Sequence, residues 1–120
     1  MKAGIAGLVL ILAAAAVVAA HHGLAEFDQT HKVTLKGTVT AFRFVNPHSI
    51  IEFDVKDDEG QVRGWQAELT SAVRLKGWSA TSLEPGDIVT VTGYGAKSGA
   101  PYLWVLSLSA SNGLELKAPG

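Results

Sequence analysis

The sequence contains no cysteine, and that absence closes several routes at once. It excludes a disulfide-stapled fold, a thiolate metal site, a cysteine nucleophile and a lipidated-cysteine anchor. Charge is scarce too: Asp, Glu, Lys and Arg make up 18% of the chain and the formal net charge is −1. No basic surface for nucleic acid or for an anionic membrane is therefore expected. There is no nucleophile elbow, no phosphate-binding glycine loop and no helical pair of zinc-hydrolase histidines, so the case for an enzyme is thin. No internal repeat occurs. Histidine is confined to one stretch, because all four lie between His21 and His48.

What is present begins with an export pattern. Met1-Lys2 supplies a positive start, Ile5 to Val18 is apolar and uncharged, and Val18-Ala19-Ala20 offers the small residues that a signal peptidase reads. The alternative, an uncleaved anchor, has only Ala3 to Ala20 to work with, which is short for a hydrocarbon core of roughly 30 Å. Residues 1–20 are expected to be a signal peptide and the protein to be periplasmic or secreted, with no stable membrane association after cleavage. Loss of Lys2 leaves nine Lys and Arg against eleven Asp and Glu, a formal charge of −2. Cleavage after Ala20 makes His21 the first residue, and cleavage after Ala19 gives Ala20-His21-His22.

Residues 21–32 lack periodicity and read as an N-terminal arm anchored by Leu24 and Phe27. Residues 33–117 read as the domain. Val33, Leu35, Val39 and Ala41 alternate with polar residues, and the apolar phase then flips to Phe42 and Phe44, which predicts a bulge or bend in a long strand. Asn46-Pro47-His48 reads as a turn. Ile51-Phe53-Val55 and Trp65-Ala67-Leu69 alternate as two further strands around an Asp57-Asp58-Glu59-Gly60 hairpin tip. A short helix is predicted near residues 71–76, capped by Thr70 or Ser71 and ended by Gly77. Ile88 to Thr92, Tyr102 to Ser109 and Leu114 to Leu116 are the remaining strands. Three strands, a helix and further strands give the order of an OB-like small antiparallel β-barrel, an all-β fold with one short helix; an open six-stranded barrel or small sandwich is the alternative.

Six segments together resemble a known family: His21-His22-Gly23, Phe27-Asp28, Thr34 to Val39, Asn46-Pro47-His48, Gly77-Trp78 and Leu83 to Gly93. That family comprises small secreted bacterial proteins with a domain of unknown function, and many relatives have Ser where this chain has Gly23. The resemblance implies an exported OB-like domain and supplies no activity.

The histidines carry the chemistry. With no thiolate available, a nitrogen-only site favours copper or nickel over structural zinc. His21, His22, His48 and His31 are the candidate ligands, and copper is the expected metal. Cleavage would turn the His21 amide into a free amine with a pKa of about 8, which a metal deprotonates readily. Amine and imidazole could chelate Cu(II), with His48 or His31 completing the set; the shorter cut would instead put His22 third in a square-planar wrap. The plain alternative is that His21 and His22 are solvated, His31 lies in a loop and His48 in a turn. A second function is a non-metal OB-like binding module for a small ligand, saccharide or protein segment. Haem carriage ranks last, as no His-x-x-x-Tyr motif is present near the C-terminus. Trp65, Trp78 and Trp104 with Phe53 and Tyr102 could form a stacking platform, but Trp65 and Phe53 share the phase of core residues. The acidic run from Asp57 lacks calcium-loop spacing.

Overall fold

A computed structural model describes residues 23–117; the expected signal segment, residues 1–20, and the first two histidines lie outside the described residues. Six strands follow one another: β1 (Phe27–Arg43), β2 (Ile50–Lys56), β3 (Val62–Glu68), β4 (Ile88–Ala96), β5 (Tyr102–Ala110) and β6 (Glu115–Leu116). Their order in the sheet is β3-β2-β1-β4-β5-β6, and β3 also pairs with β5. That extra pairing, parallel and only three residue pairs long, closes the sheet into a barrel.

β1 is long because it serves both halves. Gly37 to Arg43 pair with β2, while Lys32 to Thr38 pair with β4. The expected phase change is a β-bulge, since the β1–β2 register slips between Val39 and Ala41. The turn before β4 fills the gap: Val39 N donates to the Asp87 carbonyl at 2.8 Å and Gly86 N to the Val39 carbonyl at 2.9 Å. Inward residues then build one core, in which Val39, Ile51, Phe53, Leu69, Leu83, Val91 and Leu103 are almost wholly buried. Each such side chain contributes about 1.5–3 kcal/mol by leaving water. Trp78 packs on this core with Phe42, the rings 6.0 Å apart.

Two glycines sit where strands cross too closely for a side chain. A Cβ at Gly37 would meet the Asp54 carbonyl and the Phe53 ring, and one at Gly93 the Trp104 carbonyl and the Leu103 side chain.

Three expectations are corrected. The predicted helix is a single 3-10 turn, Ala72–Arg74, with Val73 73% exposed and no side-chain bond at its Ser71 cap. Between Ser71 and Gly77 there are too few residues to offset helix nucleation. Residues 27–32, the second half of the expected arm, are the start of β1, so the sheet begins before residue 33. They lack alternation because residues 28–31 loop out between Phe27↔Ala96 and Lys32↔Tyr94. Of the two expected anchors Phe27 is buried, but Leu24 is 42% exposed. Among the described residues no helix is long and apolar enough to cross a membrane.

Candidate functional site

The β1–β2 connection is held by one buried hydroxyl. Ser49 Oγ accepts from Val45 N at 3.2 Å and donates to the Val45 carbonyl at 3.1 Å. Its own backbone pairs with the two residues that follow β3, Ser49 N donating to the Thr70 carbonyl and Leu69 N to the Ser49 carbonyl. Buried polar groups persist only when satisfied in this way. The consequence is that the preceding residue, His48, is set at the β3–β5 seam.

There the imidazole meets two outward-facing neighbours. Glu68 and Trp104 are register partners across the seam. His48 Nδ1 lies 2.8 Å from Glu68 Oε1, both side chains half-buried. The His48 and Trp104 rings meet edge-to-face, 5.4 Å between centroids and 81° between planes. A carboxylate accepts only, so the contact is Nδ1–H donating to Glu68.

The aromatic wall continues to the N-terminal segment. Phe27, 2% exposed, packs against Tyr102 at 5.4 Å and Trp104 at 6.3 Å. Ahead of it is a 3-10 turn, Gly23–Glu26. The Glu26 carbonyl accepts from Lys97 N at 2.9 Å. The Tyr102 hydroxyl donates to Glu26 Oε2 at 3.3 Å. Partial burial first, and the Glu26 charge second, push the Tyr102 pKa above its ordinary 10.0. The folded chain therefore keeps a proton that the unfolded chain gives up. Stability from this group is present below pH 10 and is lost as pH rises through the folded value. Ultraviolet titration should find a phenol ionising late, and Glu26→Gln should bring it part of the way back. A Tyr102 that ionises at its ordinary value would show that neither its burial nor the Glu26 contact persists in solution.

His31 is placed differently. It sits on the looped-out part of β1 with its side chain 81% exposed. Its Nδ1 lies 2.9 Å from Thr30 Oγ1 and 3.4 Å from Asp28 Oδ2. The Thr30 hydroxyl and amide hold the Asp28 carboxyl below the usual carboxylate range. Among the described residues no three of His, Asp and Glu gather closely enough to hold a metal ion. Asp57 is a turn former, its Oδ1 accepting from Glu59 N and Gln61 N.

The aromatic residues divide. Phe53 is core, and Trp65 is half-buried with the Arg63 guanidinium 5.9 Å over its ring. Trp104 and Tyr102 face outward. Glu68 was not legible as a site residue, although its phase between inward Ala67 and Leu69 marks it as an outward one. Beside the seam a groove of about 390 Å³ is lined by Thr40, Glu52, Asp54, Gly64, Gln66 and Tyr102. Arg43 meets Glu52 at its margin, 2.9 Å away.

A barrel of this strand order, closed by β3 on β5, defines an OB-like protein. Two solved structures share the fold, each with a TM-score of 0.51. One is a ZRD-deleted mutant of TiaS in complex with agmatine, 18% identical, matched over 78% of this chain and 26% of that one. The other is Rim1, a mitochondrial single-stranded DNA binding protein of S. cerevisiae, 13% identical over 74% of this chain and 96% of that one. This chain thus spans about a quarter of the TiaS length. Among curated proteins no relative matches. The chain belongs to the family of unknown function DUF6152, whose model matches residues 8–102.

Proposed function

We propose that this is an exported copper-binding protein, in which His48 joins the histidines of a processed N-terminus. The observation that carries this reading is the setting of His48. Its Nδ1 is taken by Glu68, leaving Nε2 as the ring nitrogen for a ligand, and metal-bound histidines characteristically give their other nitrogen to a carboxylate or carbonyl. Trp104 touches both His48 and Phe27. Six residues, from His21 to Glu26, precede Phe27; the last four form the 3-10 turn, rising about 2 Å each, and the first two add at most about 7 Å, a reach of about 15 Å. The donor set fits copper: imidazole and amine nitrogens with no thiolate. Cu(II) would supply a strong nitrogen-seeking charge, and the chain's part is to hold the ligands. His31, exposed and engaged with Thr30 and Asp28, serves this reading less well than His48.

Calorimetry with Cu(II) on protein beginning at His21 is the test. His48→Ala should weaken binding at least tenfold, and so should a Met placed ahead of His21. Unchanged affinity in both would overturn the reading. The groove beside the seam would then lead, as a site for a small ligand, saccharide or protein segment. With a formal charge of −2 after cleavage, the chain has few cations to spare for phosphates, which disfavours nucleic acid on either reading.

A further inference from the structure

We infer that Glu68 is a positioning residue: it fixes His48 as the Nδ1–H tautomer and so leaves the ring's lone pair on Nε2. A neutral imidazole carries one proton, and the nitrogen that donates cannot also offer a lone pair. Glu68 Oε1, 2.8 Å from Nδ1, has only acceptor capacity. The bond therefore places the proton on Nδ1 and the lone pair on Nε2.

The arrangement is rigid on both sides. Glu68 is paired with Ile50 on β2 and with Trp104 on β5, so its backbone is held from two strands. His48 is fixed by the Ser49 bonds below it and by the Trp104 ring beside it. A half-turn of the imidazole about its Cβ–Cγ bond would put a carbon where Nδ1 stands and forfeit the bond to the carboxylate. One orientation and one tautomer are thus selected before any ligand arrives.

The consequence for metal binding rests on the copper reading above. Partners that orient a ligating histidine typically matter by 10–100-fold in metal affinity. Glu68 touches no ligand itself under this assignment. Its effect passes wholly through His48.

The experiment has a metal-free arm and a copper arm. In the metal-free protein, under mildly alkaline conditions, long-range nitrogen–proton NMR correlations report the His48 tautomer directly. The wild-type protein is expected to show Nδ1–H alone, and Glu68→Ala a mixture or the Nε2–H form. A wild-type ring protonated on Nε2, or a tautomer that Glu68→Ala leaves unchanged, overturns the inference. In the copper arm, Glu68→Ala should lose about 10–100-fold in Cu(II) affinity, with a thermal midpoint close to wild type because the side chain is half-exposed. If His48→Ala weakens copper binding and Glu68→Ala does not, the positioning role is wrong. If the tautomer responds to Glu68→Ala while His48→Ala leaves copper binding intact, the copper reading fails and the tautomer assignment stands.

Discussion

Gly93→Ala is expected to lower the unfolding free energy by about 3 kcal/mol or more, the upper range for overpacking a tight site. The added methyl would meet the Trp104 carbonyl oxygen and the Leu103 side chain at once. Leu103 can move, but the carbonyl cannot without dismantling the pairing that holds β5. Gly93 is also where the β4–β5 register shifts, from Thr92↔Ser107 to Gly93↔Val105, so the strands have already spent their slack there. A single domain is stable by only about 5–15 kcal/mol, and the loss would be a large share. Gly60→Ala makes the control. Gly60 has φ +82 with nothing near its would-be Cβ, so it should cost only the roughly 1–2 kcal/mol of left-handed backbone. Denaturant unfolding of the two variants checks the order, and a Gly93 variant as stable as the Gly60 one would contradict the close crossing.

Phe27→Ala is the second large effect, about 3–5 kcal/mol for the loss of a buried phenyl ring. The ring does not belong to the barrel core. It covers the outer faces of Tyr102 and Trp104 and ties the N-terminal segment to them. Its removal should therefore show two signatures. Denaturant unfolding should give the stability loss, and amide exchange should rise at residues 24–27 before it rises in β2 or β3. Under the copper reading, affinity should drop as well, since an untethered segment brings its histidines to His48 at lower effective concentration. Protection at residues 24–27 equal to wild type would mean that backbone pairing alone holds the segment.

How much of this was readable beforehand depends on what kind of information each feature needs. The phase flip at Ala41-Phe42 became the bulge at Val39/Ala41 because side-chain alternation is a local property. Gly77 takes the left-handed backbone expected of it, φ +83, yet only a single 3-10 turn precedes it, because an α-helix also needs length. The start of β1 was missed for the opposite reason. Its looped-out residues hide a strand whose pairing depends on β4, some sixty residues away. The His48–Glu68 contact is of the same non-local kind. An outward glutamate in an alternating strand is ordinary, and only the Ile50↔Glu68 register and the Ser49 bonds bring it to this histidine. Copper was proposed from four clustered histidines, of which the described residues place His48 in a built environment and His31 on the exposed, looped-out stretch of β1.

The double duty of β1 has a consequence for the order in which the chain can fold. β1 is made early, but one of its edges waits for β4, and the parallel seam waits for β5. Until residue 96 exists, half of β1 has no neighbour to satisfy its backbone. Loop-closure entropy must be met before those distant contacts give anything back, which makes such topologies slow to form. β1, β2 and β3 can pair as a meander, but the barrel cannot close on the emerging chain until β5 has been made. A polypeptide that stays open until it is nearly complete remains threadable, which suits the export proposed for it, and its barrel would then close only after crossing.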